Sequence, residues 1–431
     1  MQVPDQPGHL TVDSDDPAVR RLLATIAETV VEHGGYVHPQ LVVRHHGASL
    51  WLELPRTANP HLTGDDGTVL DRPHPAAPPL LIIPDDLHIP VTDLDWIPSD
   101  SELAYRGSTD HLSIAQRTIL DAMVALFNAV DKVSMIGQSY ARHSLAADPE
   151  LLAKLQQARP GFKPFGEVTV DDGMADSPAA TVVRSRLRSG MVEGEEGPIG
   201  FFMPMIDLLN HHPYGSRYER TPEGHWLIRV HHPGPTDQVF VRYNAADSLG
   251  NALGLGYAET ATRFVSSVAC RFWLPGVGEV RVIGMSGRMR RVPAPQVAFD
   301  DDGVRVGPII LAADRLMTLR TLLAMPLRAR AATATASGGG PDGQGIVSDG
   351  DGEAASDVET RTAAEDPERV AGALITRVVE ANVEYYRELR ELCARTDRGD
   401  AQQRALYAAV ADHQLHLLRQ VSAELPSLGL G

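Results

Sequence analysis

Two stretches of strand-like sequence, separated by a helical stretch, limit the folds open to this chain. From residue 36 to residue 90, short runs of Val, Leu, Ile and Trp are broken by proline and glycine, and similar sequence returns from residue 180 to residue 257. Between about residues 101 and 158, apolar residues recur at helical spacing instead. These periodicities predict an α+β fold in which helices are inserted between two β-rich segments.

Helical periodicity also marks both ends of the chain. We predict a first helix from about Asp16 to His33, a long helix that opens at Pro367, and a partner helix near Gln402. Residues 331–366 are rich in Ala, Gly, Ser, Thr and acidic residues, which predicts a disordered linker. The predicted organisation is an N-terminal helical segment (1–35), a β-rich domain (36–262) with a helical insertion (about 100–178), and a mainly helical C-terminal domain (263–431).

Two helices are expected inside the insertion. Ser108, Thr109 and Asp110 can cap the first, because short polar side chains accept hydrogen bonds from the free N–H groups of a helix start. The second is expected to begin near Gln138.

Composition excludes several classes of partner. The formal net charge of −17 opposes binding to nucleic acid, and no apolar run approaches the ~20 residues of a membrane span. The two cysteines, Cys270 and Cys393, are too few for a disulfide framework or a structural zinc cluster. The N-terminus lacks the basic and apolar regions of a signal peptide, so we expect a cytoplasmic protein. The oligomeric state is left open.

Three short segments stand in a fixed order in the second β-rich region. They are Pro204-Met205-Ile206-Asp207-Leu208-Leu209-Asn210-His211, Gln238-Val239-Phe240-Val241-Arg242-Tyr243 and Leu255-Gly256-Tyr257-Ala258-Glu259. Together they resemble the second half of a SET domain of the Rubisco large-subunit methyltransferase type, with its P-x-x-D-x-x-N-H, G-E-x-x-x-x-Y and Y-G-F-x-E motifs. The resemblance implies a split β-rich SET domain with a helical insertion, followed by a helical substrate-binding domain.

The resemblance also implies roles for individual residues. Tyr243 matches the catalytic tyrosine, and Asn210, His211 and Asp207 match positions that contact S-adenosylmethionine. Val182–Arg186 resembles a strand of the family in which an arginine, here Arg186, contacts the carboxylate of the cofactor. Further implied residues are Gly47 and Ser49 in the cofactor loop, and Tyr218 and Tyr257 in the substrate channel.

The implied reaction transfers a methyl group from S-adenosylmethionine to a nitrogen of a protein or peptide. Such a displacement needs donor and acceptor held in line, and an acceptor nitrogen that has lost its proton. Lysine has an unperturbed pKa near ~10.4, whereas histidine is mostly neutral at pH 7. The resemblance implies an N-methyltransferase that acts on a protein lysine and leaves histidine open.

Departures from the family pattern keep other functions open. Ser49 stands where relatives carry the second glycine of G-x-G-L, and a Cβ there could crowd the ligand or require an unfavourable backbone angle. The alternatives are a SET-like scaffold without catalysis that serves as a binding or regulatory protein, and a methyltransferase of a peptide or small amine.

Three pairs of adjacent histidines raise the question of a metal site. They are His45-His46, His211-His212 and His231-His232. Adjacent residues on a strand point to opposite faces, so the two histidines of a pair cannot bind the same ion from a regular strand. We therefore expect no metal site.

Overall fold

A computed structural model describes residues 10–61, 72–91, 93–140, 148–160, 177–185, 200–285, 294–300, 303–337, 366–395 and 400–428. Helices and strands both occur in these residues, so the fold is α+β, as predicted. Every helix in this part of the chain is too short or too polar to cross a membrane.

The α-helices of the described residues are α1 (Pro17–Glu32), α2 (Ile114–Ala129), α3 (Lys132–Ser139), α4 (Pro149–Ala158), α5 (Pro178–Ser185), α6 (Ser248–Leu255), α7 (Leu316–Ser337), α8 (Pro367–Ala394) and α9 (Ala401–Glu424).

The strands are short. They are β1 (Thr11–Asp13), β2 (Tyr36–Val37), β3 (Val42–His46), β4 (Ser49–Glu53), β5 (Pro79–Ile83), β6 (Ile89–Pro90), β7 (Asp95–Ile97), β8 (Ala104–Arg106), β9 (Phe201–Phe202), β10 (Asn210–Ser216), β11 (Glu219–Arg220), β12 (Trp226–Arg229), β13 (Phe240–Val241), β14 (Val265–Ser266), β15 (Cys270–Leu274), β16 (Gly278–Val282), β17 (Val297–Asp300), β18 (Gly303–Val306) and β19 (Ile310–Leu311).

The chain forms two compact units, each built from separate stretches of sequence. The first comprises Met1–Ala146, Pro164–Ala245 and Leu253–Tyr257, and the second comprises Ala147–Lys163, Ala246–Ala252 and Ala258–Gly431. The domain boundaries proposed from the sequence stay a prediction.

The first unit is organised around the fully buried strand β5. All five residues of β5 are buried, and the strand lies in a sheet of order β11-β12-β5-β2. A second sheet has the order β1-β3-β4, and two-stranded ladders pair β6 with β9 and β7 with β8. A strand buried on both faces consists of apolar residues throughout, which is the pattern of Leu80–Ile83.

The first helix agrees with its prediction. Asp16 caps it, because a carboxylate oxygen accepts the backbone N–H groups of Ala18 and Val19 at 2.7 and 3.4 Å. The buried face of α1 includes Leu23, Ile26 and Val30.

The helices of the insertion begin at residues other than those predicted. Ser113 caps α2 in a capping box with Gln116, so the predicted cap at Ser108–Asp110 was wrong. The next helix, α3, begins at Lys132 and not near Gln138. Ser113 is the cap because a side chain three residues later in the sequence forms the reciprocal hydrogen bond of the capping box.

The predicted strand at Val182–Arg186 was also wrong. Residues Pro178–Ser185 form α5, with Ala179, Val182 and Val183 buried in the first unit. Two β-branched valines favour a strand locally, but packing of a whole helical face overrides such a preference. Arg186 lies outside the described residues.

The second unit contains a mixed four-stranded sheet that the sequence analysis did not predict. Its order is β15-β16-β18-β17, with β16 parallel to β18 and the other pairs antiparallel. Val280, Val282, Val304 and Val306 are buried on one face. The long helices α8 and α9 pack against each other, as their apolar faces predicted.

A buried ion pair joins three distant parts of the second unit. Arg159 and Asp247 lie 3.1 Å apart between Nη2 and Oδ2, and their side chains are 1% and 0% exposed. The guanidinium also donates to the carbonyl oxygens of Ser266 and Ser267, both at 2.8 Å. Asp247 accepts the N–H groups of Gly250 and Ser266, so the burial of both charges is largely compensated.

The first part of the predicted linker is helical. Residues 331–337 continue α7, and residues 338–365 lie outside the described part of the chain. Alanine has the highest helix propensity, and residues 331–336 contain four alanines.

The strand β13 lies between the two ends of the segment Asn210–Ser216. Val241 pairs with His211 in parallel register and also with Ser216. The backbone N–H of Arg242 donates to the carbonyl oxygen of Ser216 at 2.8 Å. Gly215 permits this approach, because a Cβ there would lie 2.7 Å from the carbonyl carbon of Val241. This arrangement brings residues 210 and 211 beside residues 240–243.

We expect Gly215→Ala to destabilise the first unit by about 2 kcal/mol, because the added methyl group meets rigid backbone. Gly234→Ala is the matched control, since a Cβ at Gly234 meets nothing within 4 Å. Urea denaturation of the two variants measures the difference. Equal stability of both variants would contradict the close approach of β10 and β13.

Candidate functional site

A tight turn just before β10 sets the position of the Asn210–His211 pair. Met205 has a φ of 61° and is fully buried, a conformation that is costly for a residue with a side chain. Asp207 stabilises the turn: its carboxylate accepts the N–H of Met203, and its own N–H donates to the carbonyl of Met203, both at 3.0 Å. In this structure Asp207 therefore shapes the backbone that leads to Asn210.

His211 is buried against Tyr243. Its Nδ1 accepts the backbone N–H of Tyr243 at 2.9 Å, and its ring centroid lies 5.2 Å from the ring of Tyr243. Burial is the largest cause that lowers the pKa of His211 to about 3; His212 and Arg242 contribute in the same direction, and a backbone hydrogen bond with Val241 opposes them. His211 is therefore a neutral hydrogen-bond acceptor at physiological pH.

Two side chains of the site reach the surface. Asn210 is exposed, and Tyr243 is 38% exposed. The hydroxyl of Tyr243 donates to the carbonyl oxygen of Leu209, which is the residue before Asn210. Asn210 and Tyr243 thus present an amide and a phenol side chain at the surface, where they can bind a polar ligand.

Tyr257 approaches the same histidine from a different stretch of chain. The centroids of the His211 and Tyr257 rings lie 6.3 Å apart. Gly256 precedes it with a φ of 75°, and a Cβ there would lie 2.6 Å from the carbonyl oxygen of Ser139. The two tyrosines therefore flank His211.

The structure places Gly47 and Ser49 in the turn of a hairpin. Gly47 has a φ of 57° in the tight connection between β3 and β4, and Ser49 opens β4 opposite His46. Ser49 is exposed, and it is not among the described non-glycine residues with positive φ, which are Asp131 and Met205. Its side chain therefore fills no buried space, and its backbone is unstrained.

Tyr218 is part of the hydrophobic packing. Its ring is partly buried and packs against the core of the first unit. The residues that the structure brings together are thus Asn210, His211, Tyr243 and Tyr257, with Asp207 beneath them.

Two arginines beside these residues were missed in the sequence. Arg242 is half-buried next to His211, and Arg217 is exposed directly after Ser216. The sequence did offer one sign, which is a charged residue between Val241 and Tyr243 in strand-like sequence. Because alternate positions of a strand share one face, residue 242 is expected on the face opposite to these two neighbours.

Within the described residues, no group of three or more His, Cys, Asp or Glu side chains has the arrangement of a metal site. Two histidines of the adjacent pairs lie at hydrogen-bond distance from other groups of the chain. His232 Nε2 lies 2.8 Å from the carbonyl oxygen of Leu54, and His45 Nδ1 lies 2.7 Å from Ser14 Oγ.

The burial of His211 predicts a pH dependence of stability. The unfolded chain binds a proton near pH 6.5 that the folded state binds only near pH 3, so stability falls as the pH drops through this interval. Between pH 6 and pH 5 the wild type should lose about 1 kcal/mol more than His211→Gln, in which this proton is absent. Urea denaturation at both pH values measures the loss, with the exposed His46→Gln as control. If the stability of the wild type and of His211→Gln fell equally between the two pH values, His211 would take up its proton in the folded state as readily as in the unfolded chain.

No family model matches this chain, and no curated protein is significantly similar to it. Among solved structures, one described as the SET domain of LSMT bound to lysine and AdoHcy is similar at 15% identity and a TM-score of 0.36, covering 96% of this chain and 92% of that one. A second, described as Rubisco LSMT bound to AdoMet, is similar at 13% identity and a TM-score of 0.38, with the same coverage. At TM-scores below 0.5, neither similarity bears on the function of this chain.

Proposed function

We propose that this chain is an S-adenosylmethionine-dependent N-methyltransferase with a SET-like catalytic unit, which methylates a lysine of a protein. The observation that supports this most is the hydrogen bond from the N–H of Tyr243 to Nδ1 of His211. It unites the Asn-His motif with the strand that ends in tyrosine, and Tyr257 of the third motif adds its ring to the same histidine. All three motifs that carried the resemblance converge on one residue.

The residues present fit the cofactor. Asn210 offers an exposed amide that donates and accepts hydrogen bonds, and Asp207 holds the turn that presents it. Asn210 and the backbone around His211 would hold S-adenosylmethionine, which supplies an electrophilic methyl group when bound. Arg186, Gly47 and Ser49 stay proposed cofactor residues on the resemblance alone.

The acceptor nitrogen would be placed by the tyrosines. The hydroxyl of Tyr243 offers an oxygen atom that orients an amine, and Tyr257 supplies an aromatic wall. Tyr218 stays a proposed channel residue on the resemblance alone. With a pKa of about 3, His211 cannot take the proton of a lysine ammonium group. The acceptor therefore loses its proton to water before the transfer, and this chain contributes orientation.

Binding of S-adenosylmethionine tests the cofactor assignment. We expect the wild type to bind it and Asn210→Ala to bind it at least about tenfold more weakly, because a hydrogen bond to a charged ligand is lost. Gln40→Ala removes an exposed amide outside the site and should leave the affinity unchanged. Isothermal titration calorimetry measures all three proteins. Absence of binding by the wild type would leave the scaffold alternative, and equal binding by Asn210→Ala would remove Asn210 from the site.

The role of Tyr243 is tested by turnover. We expect Tyr243→Phe to lower kcat by a factor on the order of 10² while cofactor affinity stays within about threefold, since the hydroxyl orients the acceptor and not the donor. Tyr105→Phe is the matched control, because the Tyr105 hydroxyl donates to Asp121 at 2.6 Å, outside the site. Transfer of labelled methyl to a lysine peptide gives the readout. Unchanged turnover in Tyr243→Phe would contradict the assignment.

A further inference from the structure

Arg242 is a half-buried guanidinium without a carboxylate partner among the residues that the structure describes. Its Nε donates to the carbonyl oxygen of Asn244 at 3.2 Å, and no carboxylate of the described residues pairs with it. Arg229 in the same unit shows the ordinary arrangement, with its Nε 3.0 Å from a carboxylate oxygen of Glu219. The chain has 56 acidic and 39 basic residues, so carboxylates outnumber the basic groups that they can pair with.

A second arginine, Arg217, adds to this charge. Arg217 follows Ser216, whose carbonyl accepts the N–H of Arg242, and Arg217 is exposed with no ion pair among the described residues. Burial and the nearby charge of Arg217 lower the pKa of Arg242, while Tyr214 raises it. Two like charges, one of them half-buried, are unfavourable together unless an anion joins them.

The pair lies next to the candidate catalytic residues. Arg242 is bonded through the chain to Tyr243, and its charge acts on His211, whose ring is 5.2 Å from that of Tyr243. The groups whose charges act on Arg242 are Arg217 and Tyr214, and on His211 they are His212 and Arg242. Within the described ranges, none of these groups is a carboxylate, so the charges of Arg217 and Arg242 are left to attract an anion.

We infer that Arg217 and Arg242 bind a carboxylate of the methyl acceptor, so that the methylated nitrogen has an acidic residue close to it in the substrate. The planar guanidinium groups match a carboxylate in two parallel hydrogen bonds. Arg217 is exposed, which suits a group that arrives on the surface of another protein. The inference deepens the proposed function and rests on it for the identity of the ligand.

The carboxylate site can be tested without cofactor or turnover. The probe is N-acetyl-aspartate N-methylamide, with the asparagine analogue at equal ionic strength as control. In protein labelled with ¹⁵N-arginine, the probe should shift the Nε–H signals of Arg242 and Arg217 saturably, and the asparagine analogue should not. Arg305, which is exposed in the second unit and forms no ion pair with another described residue, is the internal reference.

Variants complete this test. Arg242→Gln should weaken the probe at least about tenfold, and the exposed Arg217→Gln should do so even if Arg242→Gln fails to fold. Equal, non-saturating shifts at Arg242, Arg217 and Arg305 would overturn the inference. Because no S-adenosylmethionine is present, that outcome is independent of whether the chain binds the cofactor.

A second measurement separates acceptor from cofactor as the source of the carboxylate. Calorimetry should give S-adenosylmethionine affinities within about twofold for wild type and Arg242→Gln. A loss of tenfold or more in Arg242→Gln, with decarboxylated S-adenosylmethionine bound equally by both proteins, would assign the pair to the cofactor and overturn the inference.

Discussion

The candidate site depends on the position of Val241 between His211 and Ser216. Because this strand has neighbours on both sides, its register is fixed twice: by the N–H of Tyr243 on His211 and by the N–H of Arg242 on the carbonyl of Ser216. A shift of one residue would exchange the faces of Val241 and Arg242 and bury a charge in the core. The accessible pair Asn210 and Tyr243 is a consequence of that register.

The sequence predicted those parts of the fold whose determinants are local. Asp16 and Pro17 mark the start of α1, and the helix at Pro367 shows an unbroken apolar stripe. Where packing decides, prediction failed: Val182 and Val183 favour a strand but are buried on a helix. In the sheet of the second unit the alternation was present, with Arg271 and Trp273 outward and Phe272 and Leu274 on the opposite face. Its strands of four or five residues are too short for the alternation to stand out.

The site was only partly accessible to the same reasoning. Motifs can name Asn210, His211 and Tyr243, but their convergence depends on a pairing between residues about 30 positions apart, which periodicity does not encode. The neutrality of His211 also needs the fold, because burial causes it. The charge of Arg242 is visible in the sequence, whereas the nature of its neighbours, with no carboxylate partner in the described ranges, is a property of the three-dimensional structure.

The Arg159–Asp247 pair has a consequence for how the chain can be divided. Both charged residues lie outside the long C-terminal stretch of the second unit, which starts at Ala258. A fragment beginning there would omit the guanidinium that occupies the carbonyls of Ser266 and Ser267, and the carboxylate that accepts the N–H of Ser266. Buried backbone groups would then lose their partners. The second unit therefore cannot be isolated by a single cut, although its helices look self-sufficient in the sequence.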